Sequence, residues 1–311
     1  MNNATSSTFG SAMGANAGSL ADGVTTAFAD LIANASIEIA PRERAEIERV
    51  AEVLPVNTCI YVPAPANRPL AETLEAVAAI RRAGLDPVPH IAARRFASAA
   101  ELTQFLAAVV GEHGAHRVML IAGDEPQPRG PYADALAVLQ DGVLGRAGIR
   151  EVGLAGYPEG HARITAAGLE AAFTHKLALA REQQLGVYVV TQFSFSTTRI
   201  AAFCADLARR EPELPVYVGM AGPTDLAALM RYAQRCGVSA SLRALSDQGF
   251  GAVKLVMHTD PREQLVAFAQ YCLGHTPCNV VGVHVFSFGG VAATAAWMNQ
   301  TIAFRSVQSA D

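Results

Sequence analysis

The chain has 311 residues, of which 51% are hydrophobic and only 17% charged, so it carries enough apolar surface for one large core and lacks the composition of a disordered protein. Its net charge of −4 is small, and no run of Lys or Arg supplies the footprint that nucleic acid or an anionic membrane needs, which leaves small molecules as the expected partners. The five cysteines (Cys59, Cys204, Cys236, Cys272, Cys278) are widely spaced and include no CxxC pair, arguing against disulfides and a zinc site. The first basic residue is Arg42 and no apolar run is long enough to span a bilayer, so a cytoplasmic location is expected.

Residues 1–18 are rich in Asn, Ala, Ser, Thr and Gly and read as a flexible tail. From Ser19 to Ala33 apolar residues recur at helical spacing and predict a capping helix before the first strand. Short β-rich runs then alternate with amphipathic segments. The strands are expected at Ser36–Ile39, Cys59–Val62, Pro87–His90, Arg117–Ile121, Val152–Gly156, Val187–Phe193, Val216–Gly219 and Val280–Val285. Helices are expected near Arg42–Val53, Leu70–Ala83, Ser98–His113, Tyr132–Gln140, Ala166–Gln184, Thr197–Arg210, Thr224–Cys236 and Pro261–Gly274, with extra helical pieces between Gly237 and Thr259. Eight such units close a single (β/α)8 TIM barrel over 19–304, leaving 305–311 as a C-terminal tail. An open doubly wound sheet would carry a glycine-rich turn after its first strand, where this chain reads Glu38-Ile-Ala-Pro.

In a barrel the residues just past each strand build the active site. Those positions offer Glu38, His90, Asp124, Tyr157, Gln192 and Ser287; Pro63 and the Gly219-Met220 pair supply shape. Glu38 stands between Ile37 and Ile39, so its side chain points opposite to theirs, into the barrel, where partial desolvation would raise its pKa and suit it to general acid catalysis. A structural glutamate paired to an arginine is the alternative. Asp124 could accept hydrogen bonds from a heterocycle or merely cap a turn, and the Gln192 amide offers a donor and an acceptor together. His90 and His161 lack the spacing of metal ligands, so no metal is expected.

Taken together, these segments resemble methylenetetrahydrofolate reductase. The likeness runs through Ser36-Ile-Glu-Ile-Ala-Pro, Pro89-His90, Gly123-Asp124-Glu125-Pro126, Gly156-Tyr157-Pro158-Glu159-Gly160-His161 and Thr191-Gln192-Phe193. The resemblance implies an NAD(P)H-dependent oxidoreductase of one-carbon metabolism and methionine biosynthesis that interconverts 5,10-methylenetetrahydrofolate and 5-methyltetrahydrofolate, normally through FAD. It implies Glu38 as the acid that opens the imidazolidine ring and Asp124 as a pterin-binding residue that tunes the reacting centre. Gln192, Met220 and Leu226 would then belong to the substrate pocket, and His90, Gly123, Asp124, Tyr157, His161 and Arg181 to the flavin site. The chain departs from the family on the flavin side: Ala122 replaces an arginine, and one helix presents His175, Ala178, Arg181 and Glu182 where the family has Asp, Asn, Arg and Lys. Those losses leave two alternatives, a flavin-independent enzyme that oxidises methyl-folate or transfers its methyl group, and a non-catalytic folate-binding subunit. The expected partners are tetrahydrofolate derivatives and a nicotinamide nucleotide, and the apolar content is compatible with a homo-oligomer.

Overall fold

The computed structural model describes residues 22–236, 238 and 261–308. The expected tail over 1–18 and the pieces expected between Gly237 and Thr259 lie outside the described residues, Val238 apart. A helix over 22–33 (α1) leads into eight parallel strands: β1 (Ser36–Glu38), β2 (Cys59–Val62), β3 (Asp86–Ala92), β4 (Arg117–Ile121), β5 (Glu151–Gly156), β6 (Gly186–Thr191), β7 (Val216–Ala221) and β8 (Val280–Phe286). They pair in chain order, and β8 pairs with β1, so the sheet closes into a (β/α)8 barrel. The outer layer is α2 (Ile47–Val53), α3 (Leu70–Arg82), α4 (Ala99–Ala107), α5 (Ala135–Asp141), α6 (Val143–Arg146), α7 (Ala166–Glu182), α8 (Thr197–Arg210), α9 (Leu226–Cys236), α10 (Arg262–Gly274) and α11 (Val291–Gln308).

Two expected helices begin or end differently. Pro41 forces a tight 3-10 stretch over Pro41–Glu46 before α2 starts, and α4 gives way to a π-helical turn at Ala108–Glu112. The C-terminal tail expected from 305 is still helix through Gln308.

Strand alternation divides the core into two layers. Ile37, Ile39, Val62, Ile91, Val118, Val152, Val189, Val218 and Val285 face outward and meet the helices in one continuous apolar shell. Tyr61, Val88, Met119, Tyr188 and Val190 face inward and fill the barrel. The Tyr61 hydroxyl donates to the Tyr188 hydroxyl at 3.2 Å, so two large inward rings share one polar contact. Below them Arg117 stacks 5.2 Å over the Tyr188 ring and bonds Glu151 at 2.5 Å. This polar plug closes the lower end and leaves the upper end, where the strands finish, as the open mouth.

Candidate active site at the barrel mouth

Glu38 ends β1 between Ile37 and Ile39, both fully buried in the outer shell, and its side chain therefore enters the mouth. The Ser287 hydroxyl donates to the Glu38 carbonyl at 2.5 Å and anchors the backbone there. The carboxyl lines a cavity of about 150 Å3 together with Tyr61, His90, Met119, Tyr157, Gln192 and His284. Two imidazoles flank it. His90 Nε2 lies 3.8 Å and His284 Nε2 4.0 Å from Glu38 Oε2, distances too long for hydrogen bonds.

Burial, helped by the negative charge of Glu43, pushes the Glu38 carboxyl up to about 7. Burial pushes His90 down to about 4, and burial with the neighbouring His90 pushes His284 down to about 3. Near neutral pH both imidazoles are uncharged and neither holds Glu38 as an ion pair. The acid is thus a partly buried carboxyl, 23% exposed, whose pKa is pushed toward 7 inside a cavity. His284 has a further partner, the Ser36 hydroxyl 2.9 Å from its Nδ1, and its ring packs edge-on to Tyr61 and Phe286.

The structure brings Glu38, His90, Tyr157 and Gln192 to one cavity, as their places at strand ends imply. Gly123 and Asp124 line an adjoining cleft that shares Glu38 and His90. Asp124 is exposed, and its charge, after burial, raises the pKa of Tyr157. Gly123 adopts φ +96°, and a Cβ there would stand 2.9 Å from Glu125 Oε2. Beneath this turn Glu125 is buried and paired to Arg95, with Nε to Oε1 at 3.3 Å. His161 packs edge-on against Tyr157 with ring centroids 5.3 Å apart.

Two assignments made from the sequence, Met220 and Arg181, do not reach the cavity. Met220 is fully buried in the outer shell, because β7 turns Gly219 and Ala221 inward and Met220 the other way. Arg181 sits in the last turn of α7, which descends from the mouth, so it stands at the lower end of the barrel and bonds Glu211 at 2.6 Å. His175 and Ala178 are exposed on the same helix and Glu182 ends it. Leu226 opens α9, and its side chain lies outside what the structure describes.

Sequence reasoning passed over His284, Ser36 and Tyr61. The signal for His284 was present, since it stands between Val283 and Val285 as Glu38 stands between two isoleucines. Among the described residues no group of three His, Cys, Asp or Glu side chains converges as a metal site would, and no helix is long and apolar enough to cross a membrane.

No family model matches the chain. Among solved structures, a protein from Clostridium thermocellum that binds two copies of 5-methyl-5,6,7,8-tetrahydrofolic acid superposes with a TM-score of 0.57 at 9% identity, covering 89% of this chain and 98% of its own. A protein from Burkholderia cenocepacia described as a phosphonomutase gives 0.49 at 13% identity, covering 92% and 99%, and one from Pseudomonas aeruginosa described as a dihydrodipicolinate synthetase gives 0.44 at 13%, covering 89% and 77%. At such identities the likeness is one of fold. The chain is a (β/α)8 barrel whose mouth gathers a partly buried carboxyl and two neutral imidazoles.

Proposed function

We propose that the protein is an oxidoreductase of reduced folates that interconverts 5,10-methylenetetrahydrofolate and 5-methyltetrahydrofolate, with a nicotinamide nucleotide as hydride partner and Glu38 as the acid. One observation carries this reading: the Glu38 carboxyl, pushed up to about 7, lies in a cavity between two imidazoles that cannot neutralise it. The 5-methyltetrahydrofolate bound by the Clostridium thermocellum barrel supports the ligand class.

In the reducing direction Glu38 gives its proton to N10 as the N10–CH2 bond breaks, leaving an iminium at N5. Hydride from the nicotinamide ring adds to that carbon and forms the methyl group, the nucleotide departs oxidised, and Glu38 recovers a proton from solvent. An acid with its pKa near 7 can also take the proton back in the reverse direction. The Gln192 amide, at the cavity wall, can pair with a pterin edge through both its donor and its acceptor.

The residues do not fit a flavin in the manner the family resemblance implies. Arg181, the cation expected for the diphosphate, is at the other end of the barrel with Glu211, and Glu182 adds a negative charge beside it. The hydride is therefore assigned to direct transfer from the nicotinamide.

The test is the visible spectrum of the purified protein, followed by NADH and NADPH oxidation with methylenetetrahydrofolate, with and without added FAD. Colourless protein that turns over without FAD is expected; turnover only with FAD would overturn direct transfer, and no turnover in any arm would overturn the reductase reading. Glu38→Gln should lose about 10²- to 10⁴-fold in kcat while still binding 5-methyltetrahydrofolate.

A further inference from the structure

The cavity at Glu38 opens into a wider cleft of about 410 Å3, which shares Glu38, His90 and Ile121 with it. One side of the cleft is apolar and stiff, built from Pro41 after β1 and from Pro63, Ala64 and Pro65 after β2. Proline fixes φ, so these loops lose little freedom when a ligand lies against them. The second loop is also tied down: the Arg95 guanidinium donates to the Arg68 carbonyl, and Arg129 Nη2 donates to the Ala66 carbonyl at 3.5 Å.

Two arginines line this cleft, Arg42 and Arg68. Arg42 is exposed and makes no ion pair or hydrogen bond with any described residue. Arg68 reaches only Glu72, four residues on, at 3.5 Å, a half-exposed contact of little strength. Asp124 and, at the inner end, Glu38 are the carboxylates on the same cleft. At the inner end His90 Nε2 is buried, has no hydrogen-bond partner, and belongs to a ring that lines both spaces. An unpartnered buried nitrogen at one end and underused guanidinium groups at the other describe a site for a molecule with a polar ring and an anionic tail.

We propose that this cleft is a subsite for the anionic tail of the ligand whose ring lies at Glu38. The chain of the ligand runs along the proline wall, and Arg42 and Arg68 take its carboxylates or phosphates. In its carboxylate form the inference rests on the reduced-folate reading, the tail being a γ-linked glutamate chain; in its phosphate form the tail is the diphosphate of the nicotinamide dinucleotide. Guanidinium groups suit either, because their paired N–H donors match both oxyanions.

The test measures affinities of the full-length protein for 5-methyltetrahydropteroate without glutamate, for its mono- and pentaglutamyl forms, and for NADH and NADPH. Wild type is compared with Arg42→Ala, Arg68→Ala and the double variant, after circular dichroism shows each variant folded. Wild type should prefer the pentaglutamyl to the tail-less compound by about tenfold or more at low salt, and that ratio should collapse toward one in the double variant and in wild type at high salt. If instead the folate ratio is flat and dinucleotide affinity falls about tenfold in the double variant, the phosphate form holds. Unchanged affinity for every ligand in the double variant would overturn the subsite. If no folate binds wild type, the reduced-folate reading fails by itself, and the dinucleotide arm still decides the subsite.

Discussion

The Ser36 hydroxyl lies 2.9 Å from Nδ1 of His284 across the seam where β1 and β8 close the barrel, and the two residues are register partners there. Both are buried, so this contact fixes the imidazole whose other nitrogen faces Glu38. Ser36→Ala leaves Nδ1 without a partner in a dry place, and a loss of roughly 1–3 kcal/mol in urea unfolding is expected. The same variant should shift the alkaline limb of the pH–rate profile, where Glu38 loses its proton, because the ring beside it is then free to turn. A stability loss with an unmoved profile would show that Ser36 serves packing alone.

Glu38 and the two histidines have opposite effects on stability as pH changes. The Glu38 pKa is raised in the folded protein, from 4.5 to about 7, so its favourable contribution is complete below about 4.5 and is lost as pH rises through 7. His90 and His284 are lowered from 6.5 to about 4 and about 3, so theirs is complete above about 6.5 and is lost as pH falls through those values. Between about 4.5 and 6.5 the two histidines outweigh the one carboxyl, and stability should rise with pH. Glu38→Gln removes the opposing term: the rise should steepen, and the variant should exceed wild type above pH 7 by up to roughly 3 kcal/mol. Chemical denaturation at pH 5, 6, 7 and 8 measures this. Parallel curves for the two proteins would mean that Glu38 ionises at its ordinary pH.

How much of this site could be read in the sequence depended on which rule was in play. Strand alternation placed Glu38 correctly, because one charged residue between two isoleucines admits only one orientation in a closed sheet. The same rule would have found His284 between two valines and would have turned Met220 outward, since Gly219 and Ala221 are its inward neighbours. Arg181 was misplaced for another reason. Its assignment followed a resemblance along the chain and not the length of α7, whose 17 residues carry it away from the mouth. The cleft beside Glu38 was illegible altogether, because Arg42, Pro63, Arg68 and Asp124 follow the first, second and fourth strands and come together only when the barrel closes.

Gly123 joins the fold to the site through its backbone. Its φ of +96° is a conformation that L side chains rarely adopt, and a Cβ would press on Glu125 Oε2 at 2.9 Å and on Ala92 Cβ at 3.2 Å. Gly123→Ala should cost roughly 1–3 kcal/mol of stability. It should also weaken ligand binding, because Gly123 and Asp124 line the same cleft. Thermal unfolding and ligand titration of one preparation separate the two effects; full stability and affinity would mean that the turn relaxes freely.

Beneath that turn the pair of Arg95 and Glu125 is almost wholly buried, and each carries polar atoms without a hydrogen bond. Burial lowers the Arg95 pKa and the Glu125 charge raises it, so the arginine depends on its partner. Arg95 also donates to the Arg68 carbonyl, which couples the pair to the proline-rich loop after β2. Glu125→Ala strands the guanidinium, and removing one member of a buried pair typically costs about 3–5 kcal/mol. Replacing both, as Arg95→Met with Glu125→Leu, removes the stranded charge and should recover most of that loss. Binding should not recover, since the loop that carries Arg68 has lost its tie. A double-mutant cycle read by unfolding and by pentaglutamyl-folate titration distinguishes the roles: recovery of stability alone assigns the pair to holding the loop, and recovery of both would reduce it to a filler of the space below Gly123.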